Sequence, residues 1–350
     1  MSVQLTERQR QILRHVVEEY LRSGRAVGSK ALVERVALGV SPATVRNDMS
    51  VLEALDFLAQ PHTSAGRVPT EQGLRYYVQH LMEDSELTPE EQVMIRHQFR
   101  QVEQQVPSWL KLAASVLADT SGNVGLVTPP RARVERLRHF ELISLRRRVV
   151  LLVLVTQSGA IHQSLLELGE PLEQEQLSAL SQRLNPELRW LDRHAVERRA
   201  RGAEPLVALV LRRIAEALRF IEQEQRSELY AEGLEYVIRQ PEFAQANLAQ
   251  VLLEVLRGGM LLTWLLPRLE PDEGVRVLIG SDLALRELRP FSLVLSSYRS
   301  GTDITGWLGV LGPQRMAYAR AVAAVRFLST VVSELVSELS GEPEWEGGVR

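Results

Sequence analysis

Arginine and asparagine stand side by side at positions 46 and 47, in a segment that begins with Ser41 and Pro42. Their side chains match the hydrogen-bonding edges of guanine and adenine in the major groove of DNA. Ser41 and Thr44 precede them, where the hydroxyls and free amides of a helix N-terminus suit phosphate oxygens. The segment therefore predicts a DNA-binding helix, and the alternative is an ordinary solvated helix face.

The segment 41–55 divides into two faces when successive residues are turned by ~100°. One face is apolar and should be buried, and it consists of Val45, Met49, Leu52 and Leu55. The opposite face carries small and polar residues, namely Ala43, Arg46, Asn47, Ser50 and Ala54. Small residues permit close approach to a groove. We predict that Arg46, Asn47 and Ser50 face the bases, while Ser41 and Thr44 hold the backbone.

Two helices should precede this one and position it. Thr6 and Gln9 form a capping box, and the apolar residues behind it recur at helical spacing until Gly24. Ser29 is placed to cap a second, short helix, which Gly39 ends. Two short helices around a glycine-containing break are typical of a helix-turn-helix.

Residues 60–70, with the sequence QPHTSAGRVPT, follow the predicted DNA-binding helix. Prolines flank a run of small polar residues, which predicts a hairpin tip. A wing beside the third helix would bring four side chains to the DNA backbone or minor groove: His62, Thr63, Ser64 and Arg67. A simple surface loop is the alternative. Thr70 should cap a fourth helix.

The rest of the chain predicts an α+β body. Period-two and apolar runs predict strands at 124–127, 140–143, 149–156, 161–165, 275–279, 293–298 and 305–309. The very apolar run Val149–Val155 predicts a central strand covered on both faces. Residues 174–266 are mostly helical in pattern, and a final helix should run from Pro313 to about Leu339. Strands, then helices, then strands again indicate an inserted segment.

Composition narrows the function classes. The 350 residues include no cysteine, which excludes disulfides and thiolate metal sites, and the seven histidines lack metal-ligand spacing. No phosphate-binding loop or nucleophile elbow is present, so we expect that the protein binds no cofactor or metal and is not an enzyme. Lacking a signal peptide or an apolar run long enough for a membrane, the chain is expected in the cytoplasm. Residues 1–84 hold ten basic and ten acidic residues, so DNA affinity must depend on where charges lie.

The chain resembles the HrcA family of heat-inducible transcription repressors. The resemblance lies in VGSK (27–30), SPATVRNDM (41–49) and above all QPHTSAGRVPT (60–70). Later segments also match, at LEYVIRQPEF (234–243), IGS (279–281) and LGVLGPQRMAYAR (308–320). Ala26, Asp56 and Ala317 depart from a usual proline, glycine and aspartate, and none of these changes removes a predicted DNA contact.

The resemblance implies a multidomain α+β protein. Its expected parts are a winged helix-turn-helix (1–84), a helical linker (85–120), a GAF-like domain in two halves (121–173 and 267–342), and an inserted dimerising domain (174–266). It also implies a homodimer bound to double-stranded DNA at an inverted-repeat operator of the CIRCE type ahead of chaperone genes. A GroE-type chaperonin would keep the repressor active, and apolar residues between Leu248 and Leu266 are candidates for surface that it binds.

Two other functions remain open from the sequence. The GAF-like domain could bind a small metabolite that changes DNA affinity, which requires a pocket with convergent polar groups. Alternatively, the C-terminal body could be an enzyme, which requires a polar constellation near Ile279–Asp282 and Tyr298–Asp303.

Overall fold

The computed structural model describes residues 5–35, 39–62, 66–102, 105–132, 134–224, 228–244, 246–257, 259–269, 274–300 and 304–340. The predicted α+β mixture, beginning with a winged helix, is confirmed. None of the helices in these ranges combines the length and the apolar character that crossing a membrane requires.

The N-terminal domain contains four helices and a short hairpin. Its elements are α1 (Glu7–Ser23), α2 (Ser29–Arg35), α3 (Pro42–Ala54), β1 (Leu58–Ala59), β2 (Val68–Pro69) and α4 (Glu71–Tyr76), followed by a π-helical turn at Tyr77–Leu81. The predicted capping box at Thr6 and the cap at Thr70 are present. Ser29 is the first residue of α2 and not its cap. The Leu32 amide donates to the Gly28 carbonyl, so Gly28 occupies the cap position.

The body is built on one antiparallel sheet. Its strands and helices are α5 (Pro89–Gln101), α6 (Val106–Ser121), β3 (Val124–Val127), β4 (Arg131–Ala132), β8 (Tyr230–Glu232), α10 (Leu234–Ile238), α11 (Ala246–Arg257), β9 (Val275–Ile279), β10 (Phe291–Ser300), β11 (Ile304–Pro313) and α12 (Tyr318–Ser340). The sheet order is β8-β3-β11-β10-β9, with β4 beside β11. The last helix begins at Tyr318, not at the predicted Pro313, because Pro313 still pairs with Phe291 in the sheet.

Both faces of this sheet are covered by apolar side chains. Val294 and Val310 share one core with Val325 and Leu328 of α12. On the other face, residues of α11 and the following turn pack with strand residues in a second core: Leu252, Val255, Leu261 and Leu265. The aliphatic residues between Leu248 and Leu266 therefore include core residues, whereas Leu248, Val251 and Leu256 are half-buried, and the expectation that this segment offers apolar surface stays a prediction.

Three further strands pair with one another and form a second, separate sheet. It is formed by β5 (Leu137–Arg146), β6 (Val149–Thr156) and β7 (Ile161–Glu167), and three helices follow it: α7 (Gln174–Leu188), α8 (Arg193–Ala200) and α9 (Pro205–Glu224). These elements share one apolar core. The packing thus groups 137–221 together and 228–269 with the main sheet, which differs from the predicted division at 173 and 266. Periodicity alone does not determine which strands pair.

Strand β6 is central in its sheet, as predicted, but it is not buried on both faces. Val150, Leu152 and Leu154 are buried against the helices, whereas the alternate residues are only half-buried. The uncovered side, which we call the outer sheet face, is apolar. Its exposed members are Ile143, Leu145, Ile161 and Leu165, with exposed fractions between 41% and 66%.

Candidate DNA-binding site

Helix α3 begins where the sequence predicts. Ser41 is its N-cap, and the Ser41 hydroxyl accepts a hydrogen bond from the amide of Thr44 at 3.2 Å. Pro42 follows at the first helical position, where the missing N–H costs nothing. The hydroxyls of Ser41 and Thr44 lie 3.0 Å apart. The first turn therefore presents two adjacent hydroxyls beside the helix N-terminus.

The two faces of α3 divide as predicted. Val45, Met49 and Leu52 are buried and Leu55 is half-buried. All five residues of the predicted outer face are exposed: Ala43, Arg46, Asn47, Ser50 and Ala54. Val51 is also exposed, at 43%, and it lies one turn beyond Asn47 on this side. Val51 was not among the predicted residues, although its spacing from Asn47 places it next to the outer face.

Asp48 is the buried polar residue of α3 and was not predicted from the sequence. It is 7% exposed, and its Oδ2 accepts a hydrogen bond from Arg8 Nε of α1 at 2.7 Å. A buried carboxylate requires such a partner. The bond to Asp48 raises the pKa of Arg8. This ion pair holds α3 against α1 from the inner side and neutralises the acidic charge next to Asn47.

Helix α3 ends in a tight reversal that leads to the hairpin. The amide of Phe57 donates to the Leu52 carbonyl at 2.9 Å, and that of Asp56 donates to Glu53 at 3.0 Å. This is the Schellman pattern, which places its turning residue in the left-handed region. Asp56 occupies that position with φ of 62°. The structure thus explains why glycine is usual here.

The hairpin is joined to the helices through backbone bonds. Strands β1 and β2 pair antiparallel, with Leu58 opposite Pro69. Val27 and Arg67 exchange two amide-to-carbonyl bonds of 2.8 and 2.9 Å. A side chain at Gly66 would place its Cβ 2.3 Å from the Val27 carbonyl, so only glycine permits this approach. The hairpin is therefore fixed beside the start of α2.

Arg67 lies at the base of the hairpin rather than at its tip. Its side chain is 15% exposed, and its guanidinium pairs with Glu53 of α3 at 2.8 Å. The Arg67 Nε is buried without a hydrogen-bond partner in the described part of the chain. Arg67 thus joins the hairpin to α3, and the predicted contact with DNA stays a prediction.

Of the remaining predicted wing residues, His62 alone lies within the described part of the chain. His62 lies exposed at a bend near the hairpin tip. Thr63 and Ser64 lie outside the described residues. Among residues placed by the structure, the hairpin therefore brings one predicted side chain, His62, to the surface near its tip.

A helix-turn-helix with an exposed polar stripe and an attached hairpin defines a winged helix-turn-helix protein. Residues 4–80 match the winged helix-turn-helix transcription repressor model for HrcA DNA-binding, and residues 108–322 match the HrcA C-terminal domain. A protein of Thermomicrobium roseum, named heat-inducible transcription repressor HrcA, is 88% identical over 99% of this chain and 100% of its own length. The chain belongs to the HrcA family.

Other similar proteins agree in sequence and fold. The HrcA repressor of Roseiflexus castenholzii is 41% identical, with 99% of both chains covered. One solved crystal structure, titled as a hypothetical protein at 2.2 Å resolution, superposes with a TM-score of 0.65. It is 24% identical in sequence and covers 96% of this chain and 99% of its own. That structure supports the fold alone.

Replacing Asp56 by glycine should stabilise the DNA-binding domain. Glycine adopts the left-handed conformation without strain, so Asp56→Gly should add up to about 1 kcal/mol to local stability. Asp56→Ala should reduce it, because aspartate adopts the left-handed conformation more readily than alanine does. Native-state hydrogen exchange of the amides at 45–57 measures the change. A loss of protection in Asp56→Gly would contradict this account of the turn.

Proposed function

We propose that the protein represses transcription by placing α3 in the major groove of an operator. The observation that carries this proposal is the exposed face of α3, opposite an apolar face on which Val45, Met49 and Leu52 are buried. Arg46 and Asn47 contact base edges, and Ser50 lies on the same surface. Val51 offers an apolar contact to a thymine methyl. Ser41 and Thr44 hold a phosphate at the helix start.

The wing supports this interface from the side. We propose that His62, Thr63 and Ser64 contact the DNA backbone or minor groove. Arg67 contributes to binding in one of two ways. The ion pair with Glu53 favours a positioning role, in which Arg67 fixes the wing relative to α3. The alternative is the direct phosphate contact expected from the sequence, which requires Arg67 to leave Glu53.

A homodimer is proposed to bind an inverted repeat of the CIRCE type. The support is the outer sheet face, where neighbouring strands place apolar residues side by side. Leu151 lies between Ile143 and Leu165, and Val155 pairs with Ile161. Exposed apolar patches of this kind mark association surfaces. A second copy seated on this face would bury the side of β6 that the monomer leaves half-exposed.

The domain organisation remains a proposal with revised boundaries. The main antiparallel sheet with α6, α10, α11 and α12 is proposed as the GAF-like domain, and residues 137–221 as the inserted dimerising unit. This division follows the cores, since 137–221 share one cluster. The segments before and after the insert pair through β3 and β11 in one sheet.

A metabolite-sensing role is less well supported. The cavity on the main sheet is about 20 Å³ and is lined mainly by leucines, including Leu126, Leu293 and Leu295. That volume suits about one water, whereas ligand pockets usually exceed about 300 Å³. A larger cavity of about 230 Å³ lies where the body meets the N-terminal domain, but its polar side chains Glu242, Gln314 and Arg315 already bond to each other or to that domain. The predicted polar cluster of an enzyme also has another use, because Ser281 and Asp282 bond to the N-terminal domain.

Arg46→Ala tests the operator contact. The variant should lose about 1–3 kcal/mol of discrimination at one base position, because a bidentate contact to guanine disappears. The probe is the duplex that the wild-type protein selects from a random library, with every single-base change measured by gel shift. Arg22→Ala, which removes an exposed arginine paired with Glu19, is the control. Unchanged base preference in Arg46→Ala would overturn the assignment.

Glu53→Gln separates the two roles of Arg67. If the pair positions the wing, DNA affinity should fall roughly tenfold, because a charge-assisted hydrogen bond is weakened. Stronger binding with a steeper salt dependence would instead show that freed Arg67 contacts phosphate. Glu34→Gln removes the same charge from the exposed side of α2 and serves as the control. Titrations at several salt concentrations measure both quantities.

Leu165→Asp tests the dimer surface. A charge on the outer sheet face should raise the dimer dissociation constant by at least about 100-fold, because the carboxylate would be buried without a partner. Val93→Asp, at an apolar position of α5 that is 68% exposed, is the control. Sedimentation equilibrium measures the constants. A dimer unaffected by Leu165→Asp, or dissociated only by Val93→Asp, would exclude the outer sheet face as the interface.

We propose that a GroE-type chaperonin binds this protein when it is partly unfolded. Because Leu252, Val255 and Leu261 are buried, a GroE-type chaperonin would reach them only after local unfolding. We expect brief heating to abolish operator binding and added chaperonin with ATP to restore it. An excess of another unfolded protein should block this recovery by competition. Equal recovery with and without chaperonin would contradict the proposal.

A further inference from the structure

Glu71 of α4 joins the winged helix to the body. One of its carboxylate oxygens, Oε2, accepts hydrogen bonds from the Ser281 amide at 3.0 Å and the Ser281 hydroxyl at 2.8 Å. The other, Oε1, accepts from Gln314 Nε2 at 3.1 Å. Burial opposes the charge on Glu71, but these bonds and Arg75 outweigh it and lower its pKa. Gly280 makes the approach possible, since a Cβ there would lie 2.2 Å from Glu71 Oε1.

Arg75 makes a second connection one turn later on α4. Its Nε donates to Asp282 at 2.8 Å, and another of its nitrogens donates to the Ser281 hydroxyl at 2.5 Å. The Asp282 carboxylate also accepts the Ile279 amide at 3.0 Å, which fixes the turn after β9. Arg75 thus binds to the turn 279–282, whose shape is set by a hydrogen bond within the body itself.

Arg315 makes the third connection, from the body toward α1. It pairs with Glu242, and its Nη1 donates to the Leu21 carbonyl at 3.0 Å. Gly24, which ends α1 with φ of 68°, lies against the same guanidinium, since a Cβ there would be 3.4 Å from Nε. Arg315 therefore holds the C-terminal end of α1, and Glu242 holds Arg315.

Apart from an exposed pair of Arg326 with Asp84, the described remainder of this boundary is largely apolar and incompletely packed. One apolar core contains residues of α1 and of α12, so the two domains also adhere through hydrophobic contact. Beside Arg315 lies a cavity of about 230 Å³, bordered by Tyr20 of α1 and by Phe243 and Phe291 of the body. Hydrophobic contact is non-directional, whereas hydrogen bonds to guanidinium and carboxylate groups have fixed geometry. The polar contacts are thus suited to set the angle between the domains.

We propose that these residues form a domain latch that determines which half-site spacing the dimer accepts. The latch consists of Glu71, Arg75, Glu242, Ser281, Asp282, Gln314 and Arg315. It rests on the proposed dimeric operator binding, in which the body holds two winged helices. With the latch closed, the distance between the two α3 helices is fixed. These residues are positioning residues and touch no DNA.

Arg315→Ala and Ser281→Ala test the latch by two independent changes. Both are compared with wild type on duplexes whose two inverted half-sites are separated by spacers one to three base pairs shorter or longer than the optimum. The half-sites are those that wild-type protein selects from random duplexes. We expect roughly tenfold weaker binding at the optimal spacing and a flattened spacing profile, because loose linkage lowers the effective concentration of the second site. Binding to a single half-site should change less than about twofold.

Arg213→Ala, which breaks an arginine–glutamate pair within α9, is the matched control and should keep the sharp profile. Domain motion is measured separately. The chain has no cysteine, so spin labels can be attached at Arg10→Cys in the N-terminal domain and Glu287→Cys in the body. Diluting labelled chains with unlabelled ones leaves one measured distance, between the two labels of the same chain. The distance distribution should broaden in Arg315→Ala and in Ser281→Ala. Melting temperature and circular dichroism identify any unfolded variant.

The outcomes separate the latch from the proposed function. If wild-type protein selects no inverted repeat, the proposed dimeric operator binding fails before the variants are tested. If wild type shows a sharp spacing optimum that folded Arg315→Ala and Ser281→Ala retain, the latch is overturned. Unchanged label distances in both variants would overturn it as well.

Discussion

The burial of one face of α3 is the constraint on which the DNA-binding surface depends. Val45, Met49 and Leu52 anchor the helix in the core, and Asp48 adds a directional bond to Arg8 on the same side. Since a helix presents opposite faces in opposite directions, this anchoring leaves Arg46 and Asn47 exposed. The domain as a whole carries balanced charge, so the proposed affinity for DNA depends on a few placed groups.

Local features of this domain could be predicted from the sequence. The caps at Thr6, Ser41 and Thr70 involve residues only three positions apart, so their patterns are visible in the chain itself. The outer face of α3 follows from helical periodicity alone. The departure at Asp56 was visible in the sequence, but its meaning required the observed left-handed conformation.

Features that depend on distant contacts could not be predicted in the same way. The strands at 137–167 have the same apolar character as those of the main sheet, and only their pairing and their helices assign them to a separate core. Arg67 has the type and position of a DNA contact, yet its ion pair with Glu53 depends on how the hairpin folds back. The half-exposed face of β6 carries apolar residues whose burial the proposed dimer would complete.

Affinity cleavage locates α3 on the bound DNA. An iron chelate attached through Ala54→Cys, at the exposed end of α3, cuts DNA wherever this helix lies. On the duplex selected by wild-type protein, we predict two symmetric clusters of cuts whose centres are separated by a whole number of helical turns of about 10–10.5 base pairs each. The same chelate at Glu287→Cys, in the body, should not reproduce this pattern. Tight binding with one cluster, or with no cuts from position 54, would contradict a dimer that recognises its operator through α3.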